Sequence, residues 1–343
     1  VAVTNNSGIS LSLAVWLLHD EYDYVDEPNY ISATKLMRPI RHIVLPPRVP
    51  DAQRNVDVED FIARSMGTSL HDSIEKAWTK GHKRALRLLG YPDSVIDRVM
   101  VNPSQEDLAK VEDPIAVYLE QRLLRQHNGY TIGGKFDMVT EGIVQDNKST
   151  SAFAWVNGTR DDEHRLQMSI YRWLDAAQEF PVITEDFCRV NYIFTDWQKA
   201  AALSNPKYPQ KRVEHKDIKL LSLKETEDWI NHKLAEIKRY ADKAEHEIPE
   251  CTDEELWRSA PQFKYYADAS KTTGRSTKNF DNLVEARQFQ VSKGGKGVIV
   301  MKPGEPKRCG YCDAFPICTQ KNQFNLGSAP QQFSNDVLNA VLA

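Results

Sequence analysis

The first 187 residues contain no cysteine, and the five present, Cys188, Cys251, Cys309, Cys312 and Cys318, all fall in the second half of a 343-residue chain. A secreted disulfide scaffold would carry more, and more evenly, so this usage suits a reducing cytoplasm. No apolar run approaches the roughly 18 residues of a membrane span. The longest early candidate, ISLSLAVWLL, is short and has no basic segment before it, which makes it a poor signal peptide. The chain begins with Val1 and not Met, which reads as a trimmed or altered start. There is no G-x-x-x-x-G-K-[ST], hence no sign of an intrinsic helicase ATPase. Internal repeats and low-complexity tracts are absent too. Nor is there an excess of positive charge: 44 Lys and Arg against 48 Asp and Glu leave a net of -4. That excludes a polycation that coats nucleic acid, but not a local basic channel.

What remains is an ordinary globular mixture, 41% hydrophobic and 27% charged, long enough for one large domain or two modest ones. A short helix is expected over 8–20. The acidic DEYDYVDEPN follows, then YISATKL, where Ser32 or Thr34 would cap a helix before Pro39. LMRPIRHIVLPPRVP, basic and broken by proline, reads as a connector. Residues 58–78 have a helical pattern, with Gly67 dividing it or marking a close approach, and KRALRLLGY reads as a second helix. After residue 110 the pattern shortens to that of strands, near 111–118, 129–139 and 142–150, with a turn at 140–142. A helix over 162–180 places Leu166, Ile170, Trp173 and Leu174 on one side. A strand at 188–197 and a long charged helix at 222–246 follow. This order predicts an α/β or α+β fold, with a central mixed sheet flanked by helices. In the last part FKYYAD and GVIVMK read as strands around a helix, CGYCDAFPIC closes the segment, and the tail after Gln320 carries no assignable chemistry. The expected division is a mostly helical region 1–95, a core 96–248, a cysteine-rich module 249–320 and a tail 321–343.

Chemistry concentrates in GGKFDMVTEGIVQDNKST, residues 133–150. Alternation along a strand puts Asp146 and Lys148 on one face and Asp137 on the face of Lys135 and Val139. A turn at 140–142 would set Asp137 beside Asp146. Two close carboxylates repel and resist desolvation, and a hard divalent cation such as Mg2+ or Mn2+ relieves both. Lys148 would then hold a phosphate oxygen or act on water, which fits phosphoryl transfer to water. Gly134 would permit a close backbone approach. His71 lies on a helix with Glu75 one turn on. It is a candidate third ligand, whereas Glu75 reads as a solvated acid. Gln167 and Tyr171, four apart, share a helical face suited to a phosphate or the attacking water. His164 reads as an exposed histidine and Cys188 as core.

The ordered set GTSLH (67–71), GKFD (134–137), QDNK (145–148) and QMSIY (167–171) resembles the RecB-like and Cas4-like branch of the PD-(D/E)XK nuclease superfamily, over roughly residues 30–320. The resemblance implies a restriction-endonuclease-like core. It also implies His71, Asp137, Asp146 and the Asn147 carbonyl as metal ligands, Lys148 as the catalytic lysine, and Gln167 and Tyr171 as the helix pair of the site. Such proteins cleave DNA phosphodiesters, often from ends. A DNA exonuclease of recombination, repair or phage DNA metabolism is therefore expected. It would act on single-stranded or duplex ends in the cytoplasm (a host's, if phage-encoded), with a recombination or replication protein as partner. An endonuclease and a non-catalytic DNA-binding or scaffold protein are the alternatives.

Cys309, Cys312 and Cys318 form C-x2-C-x5-C, and Cys251 is the natural fourth ligand of a set that suits zinc or an iron–sulfur cluster. The trio resembles the one that holds a [4Fe–4S] cluster in the Cas4 and AddB-like nucleases. There the fourth cysteine usually precedes the nuclease core, and none does so here. Basic patches at 38–42, 80–87, 207–212 and 302–308 would line a DNA groove.

Overall fold

Two dipeptides set the centre of the molecule. Asn128–Gly129 and Glu141–Gly142 both have positive φ at each residue, 49° and 82° in the first pair and 52° and 76° in the second. That is the backbone of the two-residue hairpin turn whose twist matches that of paired strands. They fold residues 115–150 into a three-strand meander.

The computed structural model describes residues 2–158, 160–324 and 331–332. The chain divides into two units, Val1–Arg38 with Asn55–Lys238, and Pro39–Arg54 with Arg239–Ala343. In the first unit the elements run β1 (Ala2–Thr4), α1 (Leu11–Leu18), β2 (Tyr30–Ser32), β3 (Asn55–Asp57), α2 (Ile62–Leu88), β4 (Val99–Val101), β5 (Ile115–His127), β6 (Tyr130–Thr140), β7 (Ile143–Thr150), α3 (Asp161–Asp175), β8 (Phe187–Phe194), β9 (Val213–Lys219) and α4 (Leu223–Tyr240), beside shorter turns of helix. The central sheet has the order β4-β5-β6-β7-β8-β9, with β2 against β6. β5, β6 and β7 are antiparallel, while β7 and β8 are parallel and need the crossover that carries α3. β1 and β3 form a separate parallel pair. The result is the expected mixed α/β architecture, a central sheet flanked by helices.

α2 docks through Ile74, Trp78 and Leu86 on the Val99, Val117, Leu119 and Met138 side chains of β4, β5 and β6. It is one helix where the sequence suggests two. Gly67 neither divides it nor marks a close approach, because a Cβ there would meet nothing within 4 Å. α3 buries Ile170, Trp173 and Leu174. A Cβ on Gly134 of β6 would lie 2.5 Å from the Tyr171 ring, so the close approach expected at that glycine is real.

In the second unit β10 (Gln262–Tyr266), β11 (Lys278–Phe280), β12 (Val298–Lys302) and β13 (Gln331–Gln332) form an antiparallel sheet ordered β11-β10-β12-β13. Helix α5 (Leu283–Ser292) covers it through Ala286, Leu283 and Phe289, against Tyr265, Phe280 and Ile299. Residues 36–50, which read as a connector, are instead largely core: Ile40, Ile43, Val44 and Leu45 are buried. The buried Arg41 ion-pairs with Glu245 and donates to the carbonyls of Ile248 and Pro249 at 2.8 and 2.9 Å. Arg41 and His42 are therefore interior groups and not the DNA-groove cations expected of 38–42.

The cysteines also correct the sequence reading. All five are free thiols. Cys251, Cys309, Cys312 and Cys318 border one cavity, but no three sulfurs come within 4.8 Å of one another among the described residues. Burial pushes Cys251 up to about 12, Cys312 up to about 11, and Cys309 upward. Sulfurs that do not gather within reach of one ion make no clustered ligand set. The expected [4Fe–4S] cluster, and zinc in its place, do not hold, and no distinct cysteine-rich module stands out. Cys188 is core, as expected, with its thiol pushed up to about 12 by burial. Among the described residues no helix is long and apolar enough to cross a membrane.

Candidate functional site

His71 sits three residues before Ile74 and seven before Trp78, on the face of α2 that packs against the sheet. That docking brings its Nδ1 to 3.1 Å from Asp137 Oδ2 and 3.9 Å from Glu120 Oε1. The three side chains form the one group of potential metal ligands, each offering an atom within 4.8 Å of the others, among the described residues. Ile74, Glu75, Leu119 and Asn147 complete the walls of the small pocket around them. Glu75, read as a solvated acid, is thus half-buried at the site.

Glu120 escaped the sequence reading. It faces Asp137 across the β5–β6 ladder, between the pairs Leu119–Met138 and Gln121–Phe136. Its φ of 51° is left-handed, unusual for a glutamate within a strand. The neighbouring Asn102 carboxamide accepts from the Leu119 N–H at 2.7 Å and donates to the Leu119 carbonyl at 3.3 Å, pinning the backbone one residue before the distortion. Glu120 Oε2 lies 2.8 Å from Lys135 Nζ. Burial raises the Glu120 pKa, with the lysine opposing it.

Past the Met138–Gln145 pair the β6–β7 ladder yields. There Asp137 Oδ2 accepts the Asn147 N–H at 3.1 Å. Burial works against the Asp137 carboxylate, but the His71 hydrogen bond, the Lys148 charge and that N–H hold it below its ordinary range. The same contact raises the His71 imidazole, the Asp137 hydrogen bond outweighing burial. Asp146 goes the other way. It is 1% exposed, and burial together with the Asp137 charge raises it despite Lys148. Its Oδ1 accepts from Lys148 Nζ at 2.8 Å, while its buried Oδ2 has no partner. Burial pulls Lys148 down, but the Asp146 and Asp137 charges prevail and keep it protonated. Two carboxylates of opposite shift beside a lysine form a field that an added cation would complete. The donor set of acid oxygens and one imidazole, with a buried carboxylate oxygen left over, fits a hard divalent ion.

Tyr171 is buried over Gly134, and Gln167 Nε2 donates to its Oη at 2.9 Å. Burial, reinforced by the Asp137 and Asp146 charges, pushes the phenol far above its ordinary value. His164 is not exposed as expected. It is buried, and desolvation together with Lys148 and Arg160 pulls it down to about 4. The acidic stretch after α1 is also accounted for: Asp23 pairs with Arg122 at 3.1 Å, and the Tyr22 ring lies under Arg122 and Lys135.

No family model and no curated protein matches the chain. The solved protein SSO0001 is similar over 65% of this chain and 84% of its own, at 18% identity and a TM-score of 0.39. A phage-related exonuclease from Haemophilus somnus 129PT is similar over 62% of this chain and 96% of its own, at 13% identity and a TM-score of 0.26. Both likenesses are distant and partial.

Proposed function

We propose that the chain is a Mg2+- or Mn2+-dependent deoxyribonuclease with a restriction-endonuclease-like core, cutting DNA from its ends. One observation carries this reading. His71, Glu120 and Asp137 gather within ligand distance of one another, while Asp146, outside that group, pairs with a protonated Lys148 and keeps a buried oxygen without a partner. His71, Glu120, Asp137 and Asp146 would hold the ion, with the Asn147 carbonyl as a further candidate. When bound, such an ion polarises a phosphodiester and lowers the pKa of water.

The protein's own groups do the rest. Lys148 places a fixed positive charge where a phosphoryl oxygen gains negative charge, or holds the attacking water. Because Tyr171 Oη already accepts from Gln167, its own proton is free to be donated outward. Burial keeps that proton in place, so Tyr171 serves as a neutral donor to a phosphate oxygen. Gln167 fixes the phenol's orientation.

The test compares the protein with its Lys148→Ala variant on end-labelled linear and closed circular DNA, single- and double-stranded, with Mg2+ or Mn2+ and with chelator. Loss of linear DNA that spares circles, needs the metal and disappears in the variant is the expected result. Cutting of circles would make it an endonuclease. No cutting by folded, metal-supplied protein would leave a DNA-binding role in its place.

A further inference from the structure

The small sheet of the second unit has a charge unlike that of the whole chain. Between residues 262 and 302 there are eight lysines and arginines against three acids, Asp268, Asp281 and Glu285, in a chain of net charge -4. Two of the eight are neutralised locally, Lys271 by Asp268 at 3.3 Å and Lys302 by Glu305 at 2.7 Å. Arg275, Lys278, Lys293 and Lys296 are exposed and enter no ion pair among the described residues. Lys278 and Lys293 lie over the same ring, their ammonium groups 4.8 and 5.3 Å from the centre of Phe289. A lysine on an edge strand such as β11 also guards against strand addition. That accounts for Lys278 but not for cations gathered from a loop, a strand and the end of a helix.

The backbone that presents them is fixed. Gln290 Nε2 donates to the Gly297 carbonyl at 2.9 Å, and Tyr265 Oη donates to the Lys296 carbonyl at 2.9 Å. Gly297, at φ 79°, leaves no room for a Cβ, which would lie 2.4 Å from the Tyr266 carbonyl oxygen. The 293–297 loop is therefore tied down from behind while its lysines point to solvent. Thr273 and Thr277 are exposed on the adjoining 267–277 loop, whereas the Ser270 and Ser276 hydroxyls donate to Asp268 and Asn279.

We propose that this face of β10, β11, α5 and the 293–297 loop is a docking surface for the sugar-phosphate backbone of duplex DNA. Unneutralised cations and hydroxyls suit phosphate contacts that carry no sequence information. Single strands are a poorer match, because their binding uses exposed aromatic platforms. Here the rings point inward: Tyr265, Tyr266 and Phe280 are buried and Phe289 packs into the core. The proposal rests on the nuclease reading only for the choice of DNA as the polyanion.

Its test is separate from cleavage. Binding of a short duplex closed by hairpins at both ends is measured by fluorescence anisotropy over a salt series, with chelator present so that nothing is cut. The triple variant K278Q/K293Q/K296Q should bind on the order of tenfold more weakly at moderate salt. Its slope of log K against log salt should be shallower by about 0.9 for each contact removed. The control K110Q/K224Q/K243Q removes the same charge from lysines that already pair with acids. It should bind like the unaltered chain. Equal binding by the two triples, or a stronger effect on single strands or on phosphatidylserine vesicles than on the duplex, would overturn the proposal. Salt-sensitive duplex binding by a protein that cleaves nothing would leave this surface standing and remove the nuclease reading.

Discussion

Glu120 combines a left-handed backbone, worth on the order of 1–3 kcal/mol of strain, with a carboxylate shared between Lys135 and the His71–Asp137 pair. Glu120→Gln retains the shape and removes the charge. It is expected to weaken Mn2+ binding by at least about tenfold, read by calorimetric titration, and to shrink the rise in melting temperature on adding Mn2+. Unchanged affinity would leave Glu120 as a partner of Lys135 alone. His164 supplies a pH signature. Its ordinary value of 6.5 falls to about 4 in the folded chain, through burial and the Lys148 and Arg160 charges. Between those values the unfolded chain takes up a proton that the folded chain refuses. Stability is thus complete above pH 6.5 and is lost as pH falls toward 4, by about 3 kcal/mol from this group. His164→Phe should reduce the difference in urea-unfolding free energy between neutral and mildly acidic pH. An unchanged difference would place the acid sensitivity elsewhere.

Helix α2 carries two interior glycines with open space around them, Gly67 and Gly81. Alanine at Gly81 should raise stability by up to about 1 kcal/mol, since a glycine there carries only its backbone entropy cost. Gly134→Ala in β6 has the opposite sign. The new Cβ collides with the Tyr171 ring, so a loss of about 1–3 kcal/mol is expected, together with displacement of the Gln167–Tyr171 pair. Chemical denaturation of the two variants checks both. At this scale much was legible from sequence. The strand–turn–strand at 129–150 stands within a residue of its expected bounds, and His71 lies on a helix as expected. Glu120 was not legible, because β5 was expected to end near residue 118 and Asn128–Gly129 was not read as a turn. That dipeptide fixes the β5–β6 register, and the register alone sets residue 120 opposite residue 137. The cysteine spacing misled for a different reason. It says which thiols can reach one another along the chain, but not how far apart burial leaves the sulfurs.

Neither unit is a continuous piece of chain. Every residue of the candidate nuclease site lies before Lys238, yet a chain ending there would keep residues 39–54 and lose the rest of the second unit. Ile40, Ile43, Val44 and Leu45 would be uncovered, at about 1.5–3 kcal/mol of lost burial for each. Such a truncation should be insoluble or aggregated by light scattering. A monodisperse product with intact Mn2+ affinity would contradict this. The same interruption has a consequence in time. During synthesis the 39–54 segment leaves the ribosome long before Arg239 does. At about 5–20 residues per second, roughly 10–40 s pass before its partners arrive. For that interval a cluster of apolar side chains and the Arg41 guanidinium wait unpaired on the nascent chain. The stretch of synthesis between Arg54 and Arg239 is therefore when this protein most needs a chaperone.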